Sequence, residues 1–443
     1  MENTIGALNL EALRKNYEAD SKNALVRHAL SRNTVSSVVY ESGSVIPLSN
    51  NFSISVKTSS VCNQKASGRC WIFAGLNVLR EVVAKKLGIS RFEFSQNYIS
   101  LYDKIEKANF ALESFITLAD KDHDDRVVAH LLTDPVGDGG QWDMFVNLVN
   151  KYGLMPKDAF PETYQSNNTR ETDILVNREI RHFAYLAHKL YEEGKTGEIR
   201  PLKNRTMQRL YNLYLNSFGV PPTTFDFQYE DKDGKYQIER GMTAKSFFEK
   251  YIGDEINQYQ SLINSPTKDK PFMKNFTIAF LGNVVEGKEI NHLNLPMERI
   301  KELIIAQLEA GEPVWFGSDV GFYRDRDSFA WDDNAFDYVS SFGFDAEFEK
   351  DGMLDYKSSA MNHAMVITGV DIVDGKPTKW KIENSWGGEN GLSGYYIMSD
   401  TWFSKFVYQA VIFNKYLSEE EKQAASEKPT ILSPWDPMGT LAD

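Results

Sequence analysis

Asn63-Gln-Lys-Ala-Ser-Gly-Arg-Cys70-Trp-Ile-Phe-Ala-Gly-Leu-Asn-Val-Leu79 joins a polar loop to an apolar helix, with a thiol at the junction. Ile72, Leu76, Leu79 and Val83 recur at helical spacing, and Gly88 supplies a C-cap, so a helix is expected over Trp71 to Leu87. Cys70 therefore stands at the positive end of that helix, where a thiolate is stabilised. Gly68 gives the loop room to turn. Gln64, six residues upstream, is placed to aim its amide NH2 at a tetrahedral oxyanion beside the Cys70 N–H. A cysteine at a helix start is more often a small buried residue than a nucleophile. Cys62 is read in that way, as a thiol without a partner. The rest of the chain must decide for Cys70.

Seven histidines occur, and six of them (His28, His123, His130, His182, His188 and His292) have surroundings that suggest surface or capping roles. His363 differs. It opens the apolar strand pattern Asn362-His-Ala-Met-Val-Ile-Thr-Gly-Val, and a strand holds a base rigidly. Asp374-Gly375 then marks a hairpin turn, and Glu383-Asn-Ser-Trp-Gly follows on the return strand. Such a hairpin brings Asn384 beside His363. The Asn carbonyl accepts one imidazole N–H, and the other nitrogen is left for Cys70. Trp386 would cover that hydrogen bond.

Gln-x5-Cys-Trp, Asn-His-Ala and Asn-Ser-Trp-Gly, in that order, resemble the papain family of cysteine peptidases. Asn-Gln-Lys-Ala-Ser-Gly-Arg-Cys-Trp, Gly-Gly-Gln-Trp-Asp-Met-Phe-Val-Asn-Leu-Val, Glu-Pro-Val-Trp-Phe-Gly and the tail Pro-Trp-Asp-Pro-Met-Gly narrow the match. They are similar to the bleomycin hydrolase and bacterial aminopeptidase C family, from about residue 10 to the end. The resemblance implies catalytic roles for Cys70, His363, Asn384 and Gln64, and peptide substrates contacted at Asn362, Gly139 and Gly140. Glycines at 139 and 140 would let a substrate backbone approach as an extra strand, although a plain turn before a helix fits the same residues. It also implies a homohexameric barrel and a C-terminal arm lying in the cleft. The arm's terminal carboxylate would pair with the substrate's free amino group, so cleavage would count from the N-terminus. Here the arm ends Thr440-Leu-Ala442-Asp443, which leaves open whether Ala442 or Asp443 is the anchor.

The expected fold class is α+β, a papain-like helical half facing a β half. Five segments follow: an N-terminal helix and extended arm (1–50), the helical half with the nucleophile (51–169), a large, mostly helical insertion (170–295), the β half with His363 and Asn384 (296–427), and the arm (428–443). Trp435 and Met438 mark the arm as docked rather than disordered. Within the insertion, Phe225 to Glu230 and Tyr236 to Glu239 read as a hairpin around Lys232-Asp-Gly, not as a calcium loop. Arg324 to Asp351 is acidic and aromatic, and reads as a solvated loop near His363 with substrate selection as the alternative.

Bulk properties exclude other classes. The 443 residues are 42% hydrophobic and 25% charged, enough for a large core without low-complexity tracts. A net charge of −13 suits a phosphate backbone poorly, so a nucleic-acid-binding protein is the reading of another class that a salt-dependent binding assay would test. Two cysteines make no disulfide scaffold and point to a reducing cytoplasm. The first thirty residues carry no apolar signal segment, and no apolar run is long enough to span a membrane. Neither metal-ligand spacing nor a cofactor motif appears. An endopeptidase is the alternative within the same family, if the arm does not block the cleft.

Overall fold

Helices occupy most of the first 258 residues, and ten of the eleven described strands of the large sheet lie in the remainder, so the chain order already separates two walls. The computed structural model describes residues 5–325, 329–344 and 348–442. The helix expected after the Asn63–Arg69 loop runs Cys70–Leu87 and is almost wholly buried. Around it pack Gln96–Thr117, Trp142–Tyr152 and the antiparallel pair Arg170–Glu192 and Ile199–Phe218. Their apolar faces share one core with Trp71, Leu79, Ile99, Phe145, Ile180 and Tyr214.

One long sheet forms the facing wall. Its central strands are Tyr259–Ile263, Val407–Phe413, Val314–Ser318, His363–Val373, Lys376–Glu383 and Tyr395–Ser399, in that spatial order. Between His363–Val373 and Lys376–Glu383 the turn is Asp374-Gly375, both with positive φ (50° and 76°). Two such residues in succession match the twist of the flanking strands. The register pairs Glu383 with Val366, which brings Asn384 back beside the start of the first strand. On the sheet's outer face, helix Met297–Glu309 covers a second core containing Phe316, Trp380, Trp402 and Phe403.

Several expectations change in detail. The stretch 170–295, expected to be mostly helical, is helical and hairpin-like as far as Gln258. Its last part supplies the strands Tyr259–Ile263, Lys274–Ile278 and His292–Asn294 to the large sheet. Residues 7–45 form four short helices, not a helix and an extended arm. The capping side chains Asp20, Thr34 and Glu41 restart the helix each time the chain bends. The 324–351 stretch is not wholly solvated, for Ala330–Trp331 joins the sheet beside Tyr395–Ser399 and Trp331 is fully buried.

Candidate active site

Cys70 lies at the first turn of its helix, buried where the helix meets the sheet. Its Sγ is 3.4 Å from the Ala364 N–H, the residue after His363. His363 opens its strand, and its Nε2 lies 2.8 Å from Asn384 Oδ1. Trp386 stacks on the imidazole with ring centroids 4.9 Å apart and an interplanar angle of 23°. Trp331, Tyr396 and Trp402 continue the aromatic packing behind it.

The loop before Cys70 is tied to the loop after Asn384. Gln64 N donates to Ser385 O at 2.9 Å, Gly387 N donates to Cys62 O at 3.1 Å, and Asn63 bridges Trp386. Ser385 Oγ donates to Gln64 Oε1 at 2.5 Å, and Gln64 Nε2 donates to Ser67 O at 2.6 Å. One hydrogen of the Gln64 amide is thus taken within the loop. The second is the one available to an oxyanion.

Burial dominates the titration of both reactive groups. It pushes the Cys70 thiol up to about 11, against backbone N–H groups of Ala364, Trp71 and Cys70 itself that favour the thiolate. It pushes the His363 imidazole down to about 4, assisted by the nearby Arg324 cation and opposed by Asn384. Taken singly, each group is neutral at pH 7.

Gly139 and Gly140 lie in the short segment before the Trp142–Tyr152 helix, and the C-terminal arm meets Gly140 there. Gly140 N donates to Leu441 O at 3.0 Å, Gln141 Nε2 donates to Met438 O at 3.2 Å, and Thr440 Oγ1 donates to Met361 O at 2.8 Å. Farther back, the Arg126 guanidinium lies 3.7 Å over Trp435, and Lys270 pairs with Asp436 at 3.0 Å. Ala442 is buried. Asp443 lies outside the described residues. Asn362 has its side chain engaged at both ends: Nδ2 donates to Asp319 Oδ1 at 2.6 Å, and Oδ1 accepts from Val320 N at 3.0 Å.

Sequence reasoning missed the groups that support these loops. The Gln96–Thr117 helix escaped the reading because its buried side mixes Ile99, Leu101 and Leu112 with the charged Asp103, Lys104 and Lys107. Lys104 and Lys107 donate to Gly137 O at 3.3 and 3.1 Å, and Lys107 also holds Gly139 O. Arg80 and Glu383 form a fully buried pair at 2.6 Å that links the Cys70 helix to the strand leading to Asn384. Cys62 has partners after all, since Arg80 donates to its Sγ at 3.2 Å. His292 is no surface histidine either. It is buried in a strand beside Ser261 Oγ at 2.8 Å. The local signal for both was an apolar neighbourhood, Val61 for one and Leu293-Asn-Leu295 for the other.

Among the described residues, no group of three or more His, Cys, Asp or Glu is arranged to hold a metal ion. No helix there is long and apolar enough to cross a membrane.

Comparison with known proteins shows the family and the fold. The profile of the Peptidase C1-like family matches residues 4–439. Aminopeptidase C of Lactobacillus delbrueckii subsp. lactis is 46% identical over 403 residues, covering 90% of each chain. Bleomycin hydrolase of Homo sapiens is 39% identical over 392 residues, covering 86% of each. The crystal structure of PepW from Lactobacillus rhamnosis superposes with a TM-score of 0.96, at 44% identity and 99% coverage of both chains.

Proposed function

This chain belongs to the Peptidase C1-like family and is a cysteine peptidase with a papain-like α+β fold, and from that premise we propose that it is an aminopeptidase. The observation that supports the proposal is the hydrogen bond from Gly140 N to Leu441 O, which seats the C-terminal arm against Gly140. On this reading a substrate reaching Cys70 from that side would meet the arm. A terminal carboxylate there, on Ala442 or Asp443, would hold the substrate's α-ammonium and refuse a longer chain.

In the proposed mechanism Cys70 passes its proton to His363 within the site. Such a transfer leaves the net charge unchanged, and the attraction between thiolate and imidazolium offsets part of the burial penalty that each ion would suffer alone. The His363 nitrogen not bound to Asn384 receives the proton, and the thiolate attacks the peptide carbonyl. The Cys70 N–H and the second Gln64 amide hydrogen stabilise the oxyanion. His363 then protonates the departing amine. Water, deprotonated by the same imidazole, hydrolyses the thioester and frees the amino acid.

We place the protein in the cytoplasm, which suits its two free thiols. A homohexamer belongs to the same reading. The exposed Leu8, Leu10, Leu13 and Leu25 of the N-terminal helices support a contact with another copy.

The deciding experiment compares a fluorogenic dipeptide amide bearing a free N-terminus with its acetylated twin, beside a Cys70→Ala control. The free amine should be cleaved faster by orders of magnitude. Equal or faster cleavage of the acetylated substrate would overturn the anchor and make the protein an endopeptidase.

A further inference from the structure

Asp138 sits where two loops of the site meet, and its contacts run to both. Its Oδ2 accepts the Gly68 N–H at 2.7 Å and the Thr169 hydroxyl at 2.5 Å. Its backbone carbonyl accepts the Trp71 indole N–H at 2.7 Å. Gly68 and Trp71 flank Arg69 and Cys70, so one residue grips the chain on both sides of the thiol.

The fit is steric as well as polar. A Cβ on Gly68 would fall 2.7 Å from Asp138 Cβ, and one on Gly140 would fall 2.5 Å from the Trp71 indole. The segments 68–71 and 138–140 therefore interlock at separations that a larger residue cannot enter.

A carboxylate in this position has a cost, because its charge opposes formation of a thiolate at Cys70. Lys104 lies behind it, its side chain 1% exposed, with Nζ 2.6 Å from Asp138 Oδ1 and 2.6 Å from Asp173 Oδ1. Burial alone would raise the Asp138 carboxyl, but the Lys104 ammonium, with the Thr169 hydroxyl and the Gly68 N–H, holds it well below the usual range. The other charged and titratable groups around the pair are Asp173 and Tyr214, with Lys107 and its partner Asp103 at 2.9 Å. The nucleophile's own loop adds Arg69, which is paired with Glu162 at 3.0 Å, and from the sheet Ala364, the residue after His363, brings its N–H to the Cys70 thiol.

We propose that Asp138 is a positioning residue for the nucleophile, setting the Gly68–Trp71 segment against the Gly137–Gly140 segment, with Lys104 cancelling its charge beside Cys70. The inference rests on Cys70 being the nucleophile.

The test uses the full chain and the variants Lys104→Met, Asp138→Asn, their combination, and Thr169→Val. It follows the pH dependence of Cys70 alkylation by iodoacetamide, read on the Cys70 peptide by mass spectrometry. It also follows kcat and KM for a free-amine fluorogenic substrate, with circular dichroism to check the fold. Lys104→Met leaves a bare anion near the thiol and should move the alkylation midpoint up by about half a pH unit or more. The double variant should bring it back. Thr169→Val keeps the charges and removes one grip on Asp138, so kcat should fall about threefold to tenfold while the midpoint stays in place. A midpoint in folded Lys104→Met equal to that of the unsubstituted protein would overturn the charge role. Unchanged kcat in both Thr169→Val and Asp138→Asn would overturn the positioning role, even if Lys104→Met fails to fold. Cys70→Ala separates the two readings. Activity in that variant removes the nucleophile assignment, whereas silence there with unaltered Asp138 variants removes only this inference.

Discussion

The two walls of the cleft are held in place by different physics. The sheet wall carries His363 at the start of one strand and Asn384 just past the end of its neighbour, and the ladder between them satisfies the backbone while its register fixes the spacing. Only a hydrogen bond and a stacked indole remain to be added. The helical wall carries Cys70 at the start of a helix, and Gly68, Gly139 and Gly140 on loops, which have no ladder. Their carbonyls and N–H groups are met by buried side chains instead: Lys104 and Lys107 on Gly137 O, Lys107 on Gly139 O, and Asp138 on Gly68 N. Buried backbone groups must be paired somewhere, and where strands are absent, ions do the pairing. The sheet wall should therefore be tolerant in shape and intolerant in chemistry. The helical wall should be sensitive in both.

Replacing His363 by Ala puts that contrast under the greatest strain. Loss of a base of this kind costs on the order of 10⁴-fold or more in kcat/KM. Because the strand ladder does not depend on the imidazole, the melting temperature should move little, and a large drop would show that the wall's order rests on its cargo. Arg80→Met attacks the joint between the walls. It leaves Glu383 buried without its cation and should cost about 3–5 kcal/mol in urea unfolding. A cost under about 1 kcal/mol would mean the walls are held together by packing alone.

Gln64→Ala separates positioning from chemistry on the helical wall. Removing one oxyanion donor should lower kcat by roughly tenfold to a thousandfold with little change in KM. Full activity would remove Gln64 from the proposed mechanism. Gly140→Ala drives a methyl group into the Trp71 indole and should cost about 1–3 kcal/mol, while weakening the seat of Leu441. A thermal melt that is unchanged would show that the loops do not interlock as tightly as their geometry requires.

Acid supplies the gentlest probe. His292 and His363 are held neutral by burial, at about 3 and about 4. In the unfolded chain both take up protons near pH 6.5. Between those values the unfolded state binds more protons, so stability rises with pH, by about 1.4 kcal/mol per unit for each group. Urea midpoints measured at pH 5 and pH 7 should differ accordingly. His292→Asn should remove part of that difference without touching the cleft.

Much of the site's address was legible in the chain because its residues sit at element boundaries. Cys70 stands where polar loop gives way to apolar helix, His363 where an apolar strand begins, and Asn384 just beyond a hairpin set by Asp374-Gly375. Each boundary leaves a local mark. The supporting ions leave none. Lys104 and Asp138 are far apart in sequence, and nothing in their neighbours distinguishes a buried lysine from a solvated one. The same blindness hid the Gln96–Thr117 helix, where buried Asp103, Lys104 and Lys107 interrupt the expected apolar stripe. It also made the 259–294 strands read as part of a helical insertion, since pairing with distant Val407–Phe413 decides their conformation.

The strand Thr430–Leu432 is zipped in register onto Lys274–Ile278, and from that fixed point the chain runs through Asp436 and Met438 to Leu441. On the proposed reading this makes the tail a ruler with its zero clamped to the sheet edge. Where the ruler ends determines how many substrate residues fit before the thiol. Shortening or lengthening it by one residue would then alter the product without changing a catalytic atom. The protein's cutting pattern would be written in its own length, and a processing enzyme that trims one residue would act as a change of gauge.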